Sequence, residues 1–122
     1  MQRMSRLELK TPTNDAVKLG ALIGKKLLKW PGVNFHPMFG LVALYRNDKI
    51  FAVLPHFKAM GSDKAINFYL SSEKNLELAL REPYLISDQT ASGWFVFEVN
   101  TEDDIISGLK WLRRAYEDVS NY

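Results

Sequence analysis

The sequence has no cysteine among its 122 residues. This excludes a disulfide framework, a thiolate zinc site and a cysteine nucleophile, and it suits a reducing compartment. Long apolar runs are also missing, since the longest fall far short of the roughly 20 residues that span a bilayer. Residues 1–10 lack the apolar core of a signal peptide. We therefore predict a cytoplasmic protein with no membrane partner.

Residue types that commonly build catalytic or metal sites are scarce. The two histidines, His36 and His56, each lie next to a proline, and neither has a second ligand at the i+4 spacing of helical metal sites. The glycine-rich phosphate-binding motifs are absent from the sequence. The acids at 102–104 directly follow Thr101, as is typical of the first turn of a helix. The sequence therefore predicts a protein that is not an enzyme and needs no cofactor.

Charge is small overall but uneven along the chain. The formal net charge is +2, yet residues 1–30 carry seven Lys or Arg against two acids, and residues 71–104 carry eight acids against two Lys or Arg. This asymmetry indicates either a basic face for an anionic partner or two segments that neutralise each other in the fold. The length fits one domain over residues 1–122, with a predicted N-terminal arm over 1–13.

A first helix is predicted to begin near residues 13–15 and to end at Pro31-Gly32. Its apolar positions recur at helical spacing: Leu19, Leu22, Ile23, Leu27 and Trp30. Gly20 and Gly24 lie four residues apart, although a glycine inside a helix costs about 1 kcal/mol relative to alanine. We infer that the helix approaches a sheet closely along this side.

The segment from Met38 to Leu54 predicts a β-hairpin with a two-residue type I′ turn at Asn47-Asp48. In that register Leu44 pairs with Phe51 on one face, and Tyr45 pairs with Ile50 on the other. Both faces are therefore apolar, whereas a sheet with one solvated face alternates apolar and polar residues. We expect other parts of the chain, a second subunit or a ligand to cover the second face.

The remaining pattern completes an α+β fold. Strands are predicted over 65–70 and 94–99, with a further short strand somewhere in 86–93. Ser71 or Ser72 caps a short helix, and Thr101 begins a long C-terminal helix. Runs of adjacent strands flanked by helices predict an antiparallel sheet of four or five strands, with the N- and C-terminal helices packed on one face.

The chain resembles the YjbR/MmcQ family over roughly residues 15–119, and it is more weakly similar to the N-terminal domain of the TfoX competence regulators. The matching motifs are Trp30-Pro31-Gly32-Val33, Met38-Phe39-Gly40, Tyr45 to Leu54, Ile66 to Leu70, Leu76 to Pro83, Gly93-Trp94 and Leu112 to Tyr116. The resemblance implies a fold similar to the CyaY/frataxin type and a poorly defined role, with DNA binding suggested for relatives. Two features depart from the family: Asp48 replaces the usual turn glycine, and the approach to Trp94 (residues 87–93) is not basic.

Two kinds of binding site follow from these patterns. Basic residues interleaved with aromatic ones suit phosphate attraction and loose base stacking, which predicts a DNA-binding surface. Its candidate residues are Arg46, Lys49, His56, Lys58 and Lys64. The alternative is a small-molecule or protein-binding domain that uses the second apolar face, with a pocket near Trp94 and Tyr45. A homodimer through that face is a third hypothesis.

Overall fold

A computed structural model describes residues 22–38, 41–55, 65–88 and 91–120. The strands are β1 (Val33–Met38), β2 (Leu41–Arg46), β3 (Lys49–Pro55), β4 (Ala65–Tyr69), β5 (Ile86–Ser87) and β6 (Trp94–Glu98). The helices within these ranges are α1 (described over residues 22–27), α2 (Glu73–Leu80) and α3 (Glu102–Val119). All strand pairs are antiparallel, and the order across the sheet is β1-β2-β3-β4-β6-β5. The α+β class is thus confirmed, but the sheet has six strands instead of four or five.

The strand that the sequence pattern missed is β1, at one edge of the sheet. It contains Asn34, His36 and Pro37, which break the apolar alternation of a typical strand. Proline is tolerated on an edge strand because its missing N–H need not face a neighbouring strand. The pairing of β1 with β2 from Val33↔Arg46 to Met38↔Leu41 fixes the strand despite its sequence.

Helices α1 and α3 pack on one face of the sheet, as predicted. Gly24 in α1 lies against the β1 side chain of Phe35, where an added Cβ would come within 2.9 Å of the ring. Gly108 in α3 approaches Ile66 and Phe97 in the same way. The core between the layers is dense in rings, since Phe68 stacks between Phe95 and Trp111 at centroid distances of 6.0 and 5.8 Å. Close approach at these glycines brings the helices onto this aromatic core.

The hairpin of β2 and β3 carries a β-bulge that corrects the predicted register. Tyr45 pairs with Ile50 as expected, but Leu44 pairs with Ala52 and not with Phe51. Phe51 is the extra residue, so Phe51 and Ala52 both face the helices and both are fully buried. Beyond the bulge Val53 therefore faces the second face of the sheet, the side opposite α1 and α3.

The turn of this hairpin differs from the predicted type I′. Asn47 has a positive φ of 59°, but Asp48 does not, and type I′ requires positive φ at both positions. The Asn47 N–H donates to the carbonyl of Gly32 at 2.7 Å, which ties the hairpin tip to the turn that precedes β1. Gly32 itself has φ of 79°, and a Cβ there would lie 2.9 Å from Oδ1 of Asn47.

We expect Gly32→Ala to lower the free energy of unfolding by about 1–2 kcal/mol, because alanine is strained at this φ and crowds Asn47. Urea denaturation followed by circular dichroism would measure the change. Gly32→Asn is the matched control, since asparagine tolerates positive φ better and should lose less. Equal stability of the alanine variant and the parent would contradict this account.

The predicted arm over 1–13, the start of the first helix and Gly20 lie outside the described residues. The capping predictions fall inside them and are confirmed. Ser72 is the N-cap of α2 and accepts a hydrogen bond from the Asn75 N–H at 3.2 Å. Thr101 and Asp104 form a reciprocal capping box at the start of α3.

Candidate functional site

A row of four side chains crosses the middle of the second face of the sheet, and three of them are apolar while one is polar. The strand register places Ala43, Val53, Asn67 and Val96 side by side on β2, β3, β4 and β6. Ala43 is fully buried, and the two valines are half-buried. Apart from Asn67 the row is thus apolar, as the two apolar faces of the hairpin predict, and its centre is set by the bulge that turns Val53 toward this face.

A hollow of about 240 Å³ lies over this row and opens to solvent. Its lining residues are Ala43, Ile50, Val53, Asn67, Asp88, Ala91 and Trp94. Most of this surface is aliphatic or aromatic, with one amide and one carboxylate. Concave, mainly apolar surfaces with a few placed polar groups are the usual form of small-molecule sites.

Trp94 forms one wall of the hollow, and Gly93 determines its position. Gly93 has φ of 89°, and a Cβ there would come within 2.6 Å of the Tyr69 ring and 2.9 Å of the Leu70 carbonyl. The Leu70 N–H donates to the Gly93 carbonyl at 2.9 Å, and the Asp88 N–H donates to the Trp94 carbonyl at 2.9 Å. The Trp94 ring packs on Tyr69 with centroids 5.6 Å apart. Glycine therefore lets β6 start close enough to β4 to place the indole beside the hollow.

Asn67 is the polar residue that sequence reasoning missed. It is 5% exposed and lies between Val53 and Val96 on the neighbouring strands. Within the described residues its side-chain amide makes no hydrogen bond, and an unsatisfied buried amide costs about 1–3 kcal/mol. The available signal was an asparagine in the middle of an apolar strand, a position that asparagine rarely occupies.

A second hollow, of about 410 Å³, is lined by Tyr84, Phe97, Glu98, Asn100, Asp104 and Ser107. Its carboxylates already serve the local fold. Asp104 accepts from the N–H groups of Asn100 and Thr101, and Glu98 accepts from the Asn100 amide. The pKa of Tyr84 is raised above 10.0, chiefly because burial disfavours the phenolate. We therefore place the candidate site at the smaller hollow, where a polar group lacks a described partner.

The predicted anion-binding residues are only partly described. Arg46 is half-buried: its Nη1 donates to the Tyr116 carbonyl at 3.0 Å, and its guanidinium lies 4.0 Å from the Tyr116 ring centroid. Lys49 is its half-buried cross-strand neighbour at the hairpin tip. His56, Lys58 and Lys64 lie outside the described residues. The structure thus holds Arg46 against α3 and leaves the proposed anion surface a prediction.

The two predicted pocket residues lie on the same face but have different surroundings. Trp94 lines the hollow. Tyr45 is the cross-strand neighbour of Ile50, which also lines it, while the Tyr45 ring packs edge-on against His36 at 4.9 Å. The structure therefore places Trp94 at the hollow and Tyr45 next to it.

Over residues 22–38, 41–55, 65–88 and 91–120, no helix has the length and apolar character needed to cross a membrane. The same ranges contain no group of three or more His, Asp or Glu side chains arranged to hold a metal ion. Comparisons of the chain with protein-family models, with curated proteins and with solved structures found no match.

Proposed function

We propose that this protein is a non-enzymatic binding domain that holds a small planar molecule in the hollow on the second face of its sheet. The observation that carries the proposal is the combination of an apolar hollow, an aromatic wall at Trp94 and the buried amide of Asn67. A flat ring could bury its faces against Trp94, Ile50 and Val53. Cytoplasmic location belongs to this proposal, because the absence of cysteine suits a reducing compartment.

The nature of the lining favours a small molecule over a nucleic acid at this place. The described residues that line the hollow include no Lys or Arg, whereas nucleic-acid affinity depends mainly on cations near phosphates. The DNA-binding hypothesis therefore concerns a different surface, the hairpin tip with Arg46 and Lys49, and membership of the YjbR/MmcQ family remains a prediction.

A large side chain that fills the hollow should weaken binding of a small molecule there. We expect a thermal-shift panel of one- and two-ring heteroaromatic compounds, with quinoline as the reference probe, to raise the melting temperature of the parent protein. Val53→Trp places an indole in the hollow and should weaken binding at least about tenfold, a loss of ~1.4 kcal/mol. Isothermal titration calorimetry would give the dissociation constants.

Ile106→Trp is the matched control for this experiment. Ile106 is an exposed residue on α3, on the opposite side of the sheet, so the substitution adds the same ring far from the hollow. Its binding should equal that of the parent protein. Equal weakening by both substitutions, or no stabilisation by any compound, would overturn the proposal. Light scattering provides a further test. If the mass of the parent protein doubles as its concentration rises, and Val53→Trp does not dimerise, then the second face binds a second copy of the chain.

A further inference from the structure

Asn67 is an unfavourable residue for the fold at the place where it lies. It occupies the third position of β4, an inner strand of the sheet, with a valine on each side. Asparagine is depleted in strands, and its amide gains nothing from apolar neighbours. A valine or leucine would fill the same position without a desolvation penalty. A residue that opposes local stability in this way is typical of a binding site.

The carboxamide of Asn67 also determines what it can recognise. Its oxygen accepts hydrogen bonds and its nitrogen donates them, and the two groups lie side by side in one plane. The complementary group is an N–H donor beside a C=O acceptor on the edge of a planar molecule. Such a group would form two parallel hydrogen bonds with the amide, and the low local dielectric would strengthen them.

Trp94 is placed to contact the face of the same molecule. Asn67 pairs with Val96, and Tyr69 pairs with Trp94, so Asn67 and Trp94 are diagonal neighbours on the second face of the sheet. Diagonal neighbours lie within reach of an aromatic side chain. A ring whose edge meets the amide can therefore pack on the indole, while Val53 and Ile50 cover its remaining apolar surface.

We propose that the hollow selects a planar ring with a lactam-type edge, in which an N–H donor adjoins a C=O acceptor, bound edge-on to the Asn67 carboxamide and against the Trp94 ring. This inference rests on the proposed function, because it names the ligand chemistry of the same hollow. It makes Asn67 the residue that determines specificity, and it makes Trp94 and Val53 the residues that supply apolar contact.

Two matched probes test this selection: carbostyril, a bicyclic lactam with a free N–H, and N-methylcarbostyril, which has the same rings but no donor. Calorimetry should show the parent protein binding carbostyril at least about tenfold more tightly, since a site built for a hydrogen bond discriminates against a partner that lacks it. Asn67→Leu should remove this preference, so that the variant binds the two probes with affinities within about twofold of each other. Its melting temperature should equal or exceed that of the parent, because an unsatisfied amide is removed.

Asn67→Val is a second variant for the same test. Valine is the residue on both neighbouring strands of the row, and its side chain suits a β-strand. Equal affinity of the parent protein for both probes would overturn the lactam inference, as would a preference that survives in both Asn67 variants. So would a lower melting temperature in both variants, since that would show Asn67 to be structural. If quinoline binds and carbostyril does not, the inference fails and the binding function stands. If no compound of the heteroaromatic panel binds either, the proposed function fails with it.

Discussion

Asp118→Ala should lower the free energy of unfolding by about 3 kcal/mol, a large share of the stability of a domain of this size. The Asp118 side chain is 4% exposed and accepts three hydrogen bonds at 2.9 to 3.0 Å. Their donors are the N–H groups of Ser71 and Ser72 and the amide of Asn75. Alanine leaves all three donors without this acceptor. Guanidinium denaturation monitored by circular dichroism would measure the loss.

The position of Asp118 explains why its carboxylate stabilises the folded protein. It lies in the last turn of α3, where a negative charge is unfavourable for the dipole of its own helix. The same charge faces the N-terminus of α2, where it is favourable and where the donors at 71 and 72 have no partner within the helix. Arg114 Nη1 donates to Oδ1 of the Asn75 side chain at 3.0 Å, which orients the amide that supplies the third donor. Asp118 therefore joins the end of α3 to the start of α2.

Two variants make this prediction specific. Asp118→Asn keeps the shape and one acceptor oxygen, so its stability should lie between those of the parent and Asp118→Ala. Asp103→Ala removes an exposed acid from the first turn of the same helix and should cost less than about 1 kcal/mol, the usual size of a helix-dipole effect. If Asp118→Ala and Asp103→Ala had the same stability, the hydrogen bonds by which Asp118 joins α3 to α2 would contribute nothing to the free energy of unfolding.

Local patterns predicted most of the fold because they act within a few residues. The apolar runs of β2, β3, β4 and β6 and the caps at Ser72 and Thr101 each depend on neighbours in the chain. The strand β1 has no such pattern, and only its pairing with β2 defines it. The bulge at Phe51 is likewise set by packing against α3, since the Phe51 ring meets Tyr116 at 5.7 Å. These features depend on contacts distant in sequence, so local periodicity could not reveal them.

The sequence predicted the face of the sheet on which the candidate site lies, but it did not reveal the polar residue at the centre of that site. Because both faces of the hairpin are apolar, the second face was expected to be covered by a binding partner or by other parts of the chain. Trp94 was predicted to lie at a pocket on this face, and it lines the hollow. The pattern of β4 identifies Ile66 and Phe68 as core residues and places Asn67 on the opposite face, but it does not show that Asn67 is buried there. Whether a strand asparagine is buried depends on its neighbours across the sheet, here Val53 and Val96, and a single sequence does not contain that register.

Arg46→Ala should lower the free energy of unfolding by about 2 kcal/mol, the second-largest effect expected. The guanidinium lies over the Tyr116 ring and donates to the Tyr116 carbonyl, and such cation–π and charge-assisted contacts each contribute about 1–2 kcal/mol when half-buried. Arg46→Lys should recover little, because an ammonium group cannot stack on the ring and bond to the carbonyl in the same geometry. Chemical denaturation would compare the variants, with the exposed Lys110→Ala as the control for loss of one charge.

Arg46→Ala and Lys110→Ala also show whether Arg46 stabilises the fold or contacts DNA. Fluorescence anisotropy with a random DNA duplex at ~50 and ~200 mM salt measures any phosphate-dependent binding, which falls steeply over this range. If Arg46 serves the fold, Arg46→Ala is destabilised, and its DNA affinity while folded equals that of Lys110→Ala. If Arg46 contacts phosphates, Arg46→Ala keeps the parent stability, loses affinity and shows a shallower salt dependence. Tyr116 favours the first result, because it also packs on Trp30 at 5.1 Å and donates its hydroxyl to the Pro31 carbonyl. Arg46 thus completes a cluster that joins α3 to the end of α1 and the hairpin.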